Sequence, residues 1–213
     1  MAAQQPLLEF QDVAKTYGQR IIFRHVNAAL FSGSITLLAG DNGSGKSTLM
    51  RLAAGLTSPD MGRVSRRVPL ARTGYMAHAT FLYPGLEARE NLLFWAKASG
   101  IAEPAKKVTE VLEITGLSRS AFEKAGVFSR GMAQRLNLAR LLLSDPLLIL
   151  LDEPATGLDV SSRTMLEEVV CSARKRGAAV LWISHNIKED SRHADRLLVL
   201  NSHTLGEEEL PSC

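Results

Sequence analysis

The chain has 213 residues, of which 46% are hydrophobic, and its formal net charge at pH 7 is +3. This length predicts one domain, or one domain with an inserted subdomain, and the hydrophobic share is ordinary for a protein with a real core. With so small a net charge and scattered basic residues, we expect no nucleic-acid partner. The two cysteines form neither a disulfide framework nor a metal-ligand pattern, which fits a reducing cytosol.

No targeting or membrane-spanning segment is expected in this sequence. Residues 1–6 lack the basic start and the apolar stretch of a signal peptide. The most apolar stretch, residues 136–151, is broken by polar side chains and a proline, whereas a membrane span needs roughly 20 mostly apolar residues. We therefore expect a soluble, cytoplasmic protein, which is compatible with docking on a membrane protein.

The first part of the chain predicts an antiparallel sheet and then a strand, a glycine-rich loop and a helix. Strands are expected at 7–13, at 20–31 (one or two of them) and at 35–39, and a helix at 49–55. A short basic edge strand is expected at 63–68, and residues 73–78 are expected to run into a loop.

The rest of the chain predicts a helical block and then buried strands. Residues 86–145 have an almost entirely helical pattern, with amphipathic segments at 87–96, 103–115 and 131–143. Apolar runs at 147–151 and 178–183 are typical of central strands, and a third at 196–201 is expected near the edge. The sequence therefore predicts an α/β fold with a mainly parallel core sheet, an N-terminal antiparallel β-subdomain (core and β-subdomain together 1–85 and 146–213) and an inserted helical subdomain (86–145).

A phosphate-binding loop is the strongest motif in the sequence. Residues 40–48 fit G-x-x-x-x-G-K-[ST], between a predicted strand and a predicted helix as this motif requires. Backbone N–H groups of such a turn, at a helix N-terminus, form an anion site. Lys46 can reach the β- and γ-phosphates, and the Ser47 hydroxyl is placed for Mg²⁺. The predicted nucleotide-binding residues of the loop are Gly40, Asp41, Asn42, Gly43, Ser44, Gly45, Lys46, Ser47 and Thr48.

Several polar side chains follow predicted strands, where chemistry gathers in open α/β sheets. Asp152 is the expected magnesium partner of Ser47, and Glu153 would orient or deprotonate the attacking water. The alternative for Glu153 is a carboxylate that merely faces solvent, but two adjacent acids at the end of a buried strand favour catalysis. His185 either hydrogen-bonds the γ-phosphate and holds Glu153, or is a structural histidine. Tyr17 either stacks on a base or packs at a strand end.

The start of the third amphipathic segment has two interpretations. Ser129 is a sound N-cap, which explains it fully as a structural residue. Together with the Gly131 backbone and the positive end of a helix, it would also form a second phosphate site. Because the loop at 40–48 already occupies the pocket of its own chain, this second site would serve the nucleotide of another copy, in a dimer closed by nucleotide.

Taken together, these motifs resemble the ATP-binding subunit of ABC transporters. Residues 40–48 match the Walker A motif, 147–152 the Walker B motif and 155–159, with Asp159, the D-loop. The resemblance makes Glu153 the catalytic glutamate, His185 the switch histidine and Tyr17 the adenine-stacking aromatic. It implies a P-loop NTPase of the ABC ATPase type with a RecA-like core, ATP and Mg²⁺ as cofactors, two copies that sandwich ATP, and integral membrane subunits as partners.

Two departures from the family pattern are informative. The signature, usually Leu-Ser-Gly-Gly-Gln, here reads Phe128-Ser129-Arg130-Gly131-Met132, which keeps the phosphate-facing Ser129 and Gly131. His78 stands where most of the family has a glutamine that senses magnesium and contacts the membrane subunit. A neutral histidine can still donate or accept one hydrogen bond, but it titrates near neutrality.

Residues 74–78, followed by 82–92, resemble one branch in particular: CcmA, the ATPase subunit of the heme-handling transporter of cytochrome c maturation. This resemblance implies a peripheral place on the inner face of the cell membrane, where ATP hydrolysis drives release of a heme-loaded chaperone. Two alternatives stay open. One is the ATPase subunit of another exporter, for drugs, lipids or polysaccharides, and the other is a soluble ABC ATPase such as one for iron–sulfur assembly.

Overall fold

The computed structural model describes residues 5–77 and 80–211. The strands are β1 (Leu8–Tyr17), β2 (Arg20–Leu30), β3 (Ile35–Ala39), β4 (Met61–Arg66), β5 (Thr73–Met76), β6 (Leu148–Asp152), β7 (Ala179–Ile183), β8 (Arg196–Asn201) and β9 (Thr204–Glu208). The α-helices are α1 (Lys46–Ala53), α2 (Ala88–Ala98), α3 (Pro104–Ile114), α4 (Arg130–Leu142), α5 (Val160–Lys175) and α6 (Ile187–Asp190).

The first sheet is antiparallel, in the order β2-β1-β4. Strands β1 and β2 form a hairpin in which Tyr17 pairs with Arg20 across a turn at Gly18, whose φ is 58°. The inward side chains of the hairpin, among them Phe10, Val13 and Phe23, are buried in one cluster with residues of α1. The hairpin therefore covers the helix that follows the phosphate loop.

The second sheet has the order β5-β6-β7-β3-β8-β9 and is parallel except for its last strand, β9. Strands β6 and β7 are buried along their whole length, because layers of the fold cover both faces of the sheet. Parallel pairing brings the carboxyl ends of β3, β6 and β7 to one edge. That edge carries the residues with predicted chemistry.

Helices α2, α3 and α4 lie between β5 and β6 in the chain and pack on one another through buried aliphatic side chains. Helix α2 begins with a capping box formed by Glu87 and Glu90, and α3 has Pro104 in its first turn. Asn91 is fully buried in α2 and bonds backbone groups of Tyr83, Leu86 and Glu87. These bonds fix the loop that leads into the helical block.

The predicted fold class is confirmed: an α/β fold with an N-terminal antiparallel sheet and a mainly parallel core sheet. The structure differs from expectation in detail. Residues 20–30 form one strand, α1 begins at Lys46 rather than 49, and the antiparallel strand β9 was not predicted. The division into 1–85 with 146–213 and 86–145 stays a prediction. Among the residues of 5–77 and 80–211, no helix is both long and apolar enough to cross a bilayer.

Candidate nucleotide site

The loop between β3 and α1 has a backbone that requires glycine at two positions. Gly40 has a φ of 137° and Gly45 a φ of 110°, where residues with side chains are strained. A Cβ on Gly40 would lie 2.2 Å from the Leu200 carbonyl oxygen, and one on Gly45 would lie 2.5 Å from Ile22. The two glycines therefore let the loop fit between β8 and the hairpin.

Two polar side chains in the loop are poised for a ligand. Lys46 is buried, and its Nζ donates to the carbonyl oxygens of Gly40, at 2.8 Å, and Asp41, at 2.9 Å. The Ser44 Oγ is buried and has no hydrogen-bond partner among the described residues. A buried hydroxyl without a partner is costly, so the loop is arranged for polar atoms that a bound molecule would bring.

A cleft of about 330 Å³ opens over this loop. It is lined by loop residues, by Glu153, and by side chains of the β1–β2 hairpin. Tyr17 is about half exposed at the cleft, and the Lys15 Nζ lies 5.6 Å from the centre of its ring. Arg20 also lines the cleft, which sequence reasoning missed. The sequence did contain a signal for it: Arg20 follows Tyr17 by three residues across a Tyr-Gly turn, which predicts that the two side chains lie near each other.

The ends of β6 and β7 bring Glu153 and His185 together. Asp152 pairs with Ile183 in the sheet, and the Glu153 N–H donates to the Ile183 carbonyl oxygen at 3.3 Å. Glu153 has a φ of 54°, which turns the chain sharply at the strand end. Its Oε1 lies 2.5 Å from the Nε2 of His185. The two predicted catalytic side chains are therefore in direct contact, while their roles stay predictions.

The other predicted metal-binding residues fit a magnesium ion in kind and number. Asp152 is buried at the end of β6, and Ser47 is exposed in the first turn of α1 and lines the cleft. Mg²⁺ prefers oxygen ligands and usually combines one or two carboxylates with waters and substrate phosphates. A site of this kind needs no cluster of three acidic or histidine ligands, and the described ranges contain none. His78 lies outside the described residues.

Asp152 also has an electrostatic effect on its surroundings. Burial, and then the negative charge of Asp152, raise the pKa of Tyr75 on β5, while Arg51 acts in the opposite direction. Asp152 is itself buried, so its carboxylate lies in a poorly solvated region. In such a region a bound cation would interact with it more strongly than in water.

The signature segment lies apart from this cleft. Ser129 is exposed and caps α4, since its Oγ accepts a hydrogen bond from the Met132 N–H at 3.2 Å. Of the residues that the structure describes, those lining the cleft do not include Ser129, Arg130, Gly131 or Met132. The structural role of Ser129 is thus observed, and its predicted role toward a second nucleotide stays a prediction.

The signature segment is fixed to the predicted D-loop. Asp159 caps α5 by accepting from the Ser162 N–H at 2.7 Å, and this hydrogen bond lowers the pKa of Asp159. Arg135 of α4 donates to the hydroxyls of Ser161 and Ser162, each at 2.8 Å. At Gly157 a Cβ would lie 2.7 Å from the guanidinium carbon of Arg130. These contacts therefore hold the starts of α4 and α5 in a fixed position relative to each other.

This fold and this site define an ATP-binding cassette of the ABC ATPase class. The sequence model of the family "ABC transporter" matches residues 23–156, and the chain belongs to this family. It is 33% identical over 206 residues to the linearmycin resistance ATP-binding protein LnrL of Bacillus subtilis (strain 168), covering 92% of this chain and 66% of that protein. It is 34% identical over 204 residues to the Nod factor export ATP-binding protein I of Burkholderia orbicola (strain AU 1054), covering 91% and 67%. The chain thus spans about two thirds of the length of these relatives.

Comparison with solved structures gives the same class of protein, an ATP-binding cassette. The ATP-binding subunit of an ABC transporter superposes with a TM-score of 0.89 at 26% identity, covering 96% of this chain and 90% of that one. A dimeric ATP-binding cassette in a post-hydrolysis state, bound to ADP and Pi, superposes with a TM-score of 0.86 at 25% identity, covering 97% and 100%.

Proposed function

We propose that this chain hydrolyses ATP and that hydrolysis drives export through integral membrane subunits. The observation that carries the proposal is the contact between His185 and Glu153, whose side chain lines the cleft over the phosphate loop. This contact places a carboxylate and an imidazole, two groups able to handle the proton of an attacking water, beside a site built for phosphates.

Each side chain in or beside the cleft has a separate role in hydrolysis. Lys46 exchanges the carbonyls of Gly40 and Asp41 for phosphate oxygens, which supplies positive charge where negative charge develops. Glu153 takes the proton of the attacking water, and His185 fixes the orientation of Glu153. Mg²⁺, held by Ser47 and Asp152, supplies further charge neutralisation when it is bound. Tyr17 lines the cleft, and its ring stacks on the adenine base.

A second copy of the chain would complete the site. Ser129 to Met132 lie outside the cleft of their own chain and present an exposed helix N-terminus, which favours anions. The solved dimer of a similar cassette supports assembly into a pair. In that pair the signature segment and Asp159 of one copy face the nucleotide of the other.

An aromatic surface supports docking on membrane subunits. Phe81, Tyr83 and Phe94 are each more than 40% exposed, and the rings of Tyr83 and Phe94 are 5.0 Å apart. The Arg140 guanidinium lies over the rings of Phe81, at 5.2 Å, and Trp95, at 5.4 Å, beside a groove of about 360 Å³. Contiguous exposed aromatic side chains are typical of protein–protein contact sites. The surface supports a contact with membrane subunits, and we propose that the chain makes it from the cytoplasm, on the inner face of the cell membrane.

The names of the relatives favour an exporter subunit. The alternative is the ATPase of cytochrome c maturation, favoured by the segments 74–78 and 82–92, with its heme-loaded chaperone and its own membrane subunits as partners. A soluble ATPase for iron–sulfur assembly is the remaining alternative, and the aromatic surface argues against it.

Hydrolysis is tested with Glu153→Gln, which keeps the size of the side chain and removes the base. We expect phosphate release from ATP to fall by a factor of about 10² to 10⁴, with ATP still bound, because general-base catalysis contributes on that order. Glu207→Gln is the matched control, since Glu207 is exposed and pairs with Arg196 away from the cleft. Hydrolysis by Glu153→Gln at the parental rate would rule out the base role.

The partner is tested by affinity purification from solubilised membranes. We expect the parental chain and Phe122→Ser to recover integral membrane subunits, and Phe94→Ser to recover far less. Phe122 is an exposed phenylalanine outside the aromatic surface, so it controls for the general effect of the substitution. Recovery of soluble proteins alone contradicts the export proposal, and recovery of cytochrome c assembly proteins selects the heme alternative.

A further inference from the structure

A charged network links α5 to the loop that carries His185. Arg163 of α5 contacts three carboxylates: its Nη2 lies 2.6 Å from Asp190 Oδ1, its Nη1 lies 2.9 Å from Glu189 Oε2, and its Nε lies 3.2 Å from Glu167 Oε1. Glu189 and Asp190 belong to α6, which begins two residues after His185. Arg163 therefore fixes the position of α6 relative to α5.

Asp190 extends this network to both chain neighbours of His185. The side chain of Asp190 is 3% exposed, and its second oxygen accepts a hydrogen bond from the Ser184 hydroxyl. The same Ser184 Oγ accepts from the Asn186 N–H at 2.9 Å. The residue before His185 and the residue after it are thus tied, directly and through Ser184, to one buried carboxylate.

Because the Asp190 carboxylate is buried, breaking its hydrogen bonds and its ion pair would be energetically costly. Burial raises the pKa of Asp190, and the hydrogen bonds from Ser184 and Arg163 together with the positive charge of Arg163 act in the opposite direction. A buried charge is tolerated only when it is paired and hydrogen-bonded. Any shift of the His185 loop that broke these contacts would leave the charge uncompensated.

The network also lies directly against the predicted catalytic pair. Arg163 and Asp190 line a cavity of about 170 Å³ whose wall also contains Glu153, Thr156 and His185. His185 is itself half exposed, so packing alone holds its ring only loosely. The orientation of the ring toward Glu153 therefore depends on how firmly its backbone is held.

We propose that Asp190 is a positioning residue for ATP hydrolysis: with Arg163 it fixes the segment from Ser184 to Asn186 so that the His185 imidazole faces Glu153. The proposal rests on the proposed function, because the orientation of His185 affects turnover only where Glu153 acts on water. Asp190 does not contact the reacting atoms. Its effect reaches them through His185 alone.

The test is Asp190→Asn, which keeps the size of the side chain and removes its charge. We expect kcat for ATP to fall about ten- to a hundredfold, because small misplacements of catalytic groups have effects of that order. The ATP dissociation constant should stay within about twofold, since the loop at Gly40–Thr48 holds the phosphates. In a His185→Ala background, the same substitution should cause no further loss, because residues that act through one another are not additive.

Asp195→Asn is the matched control. Asp195 also accepts from an arginine of α5, Arg174, and from a backbone N–H, that of Ile35 at 2.8 Å, but at the opposite end of β3. It should lower the thermal stability without lowering kcat. A second readout is the NMR signal of the His185 imidazole, which should shift in Asp190→Asn and stay in place in Asp195→Asn.

Three results would overturn the proposal: an unchanged kcat in folded Asp190→Asn, an unshifted His185 signal, or a full additional loss in the His185→Ala background. Where Asp190→Asn does not fold, Ser184→Ala replaces it in the same experiment, since it removes the two hydrogen bonds of the Ser184 hydroxyl, to Asp190 and from the Asn186 N–H, and leaves the Arg163–Asp190 pair. A parental chain that binds ATP without hydrolysing it, alone or with its membrane partner, would instead contradict the proposed function.

Discussion

The loop at Gly40–Thr48 and the segment Ser129–Met132 are both glycine-containing helix starts, yet their surroundings differ. The first is enclosed: Gly45 packs against Ile22 and Phe23 of the hairpin, and Lys46 is buried. The second is exposed, and its cap is satisfied by its own helix through the Met132 N–H. Similar local chemistry thus lines a cleft within the chain in one case and lies on an exposed surface, which we propose for a second copy, in the other.

The exposed segment is nevertheless firmly held. Arg135 bonds Ser161 and Ser162 at the start of α5, and Arg130 packs on Gly157. A partner would therefore meet a surface whose shape exists before binding, which lowers the conformational entropy lost on association. Under the proposed function, we expect the enclosed loop to determine nucleotide affinity and the exposed segment to determine assembly.

Lys46→Ala should have the largest effect of the substitutions that separate these two regions. It removes the buried ammonium group of the enclosed loop, and hydrogen bonds to charged groups are worth about 1.5–3 kcal/mol each. We expect ATP affinity to fall at least about a hundredfold in calorimetric titrations. Lys97→Ala, at an exposed lysine of α2, is the control and should bind ATP as the parental chain does. Unchanged affinity in Lys46→Ala would remove the loop from the centre of the site.

Ser129→Arg should have the next largest effect, and on assembly rather than binding. In a Glu153→Gln background, size exclusion with ATP should show the dimer weakened about tenfold or more, because one hydrogen bond is lost and a bulky group is placed at the interface. Binding of ATP to the monomer should be spared. Ser129→Asp keeps a good N-cap, so it should fold normally and still assemble poorly, because its charge opposes phosphate. If both variants assembled like the parent, Ser129 would be a helix cap only.

The smallest effect is expected for Asp60→Asn, which removes a carboxylate that holds the hairpin carrying Tyr17. Hydrogen bonds from Lys15 and Thr16 lower the pKa of Asp60 from 3.8 to about 2. Because the pKa is lowered in the folded state, the stabilisation is present above about pH 4 and is lost as the pH falls toward 2. Asp60→Asn should lower Tm by about 2 °C or less near neutrality, since the Asp60 side chain is 39% exposed and solvent weakens its ion pair with the buried Lys15. The difference from the parent should disappear toward pH 2, and a constant difference would point to another cause.

Much of the site was predictable because its residues are encoded by local patterns. The phosphate loop at 40–48, the apolar run before Asp152 and the cap at Ser129 each depend on neighbours within a few residues. Strand β9 was missed because it is short and most of its residues are polar and exposed, and because its pairing with β8 depends on a turn at Ser202 and His203 with positive φ. Arg20 was missed because its place at the cleft depends on the hairpin register.

The sequence by itself determined that the chain has a phosphate loop, two acidic residues at a strand end and a capped signature helix, since each follows from spacing and local backbone chemistry. The tertiary structure alone decided that His185 lies against Glu153, because β6 and β7 are neighbours in the sheet although 30 residues lie between their last residues, Asp152 and Ile183, in the chain. It also decided that Asp190 pairs with Arg163 and Ser184. Such contacts depend on which strands and helices pack together, and that is set by burial of the whole core.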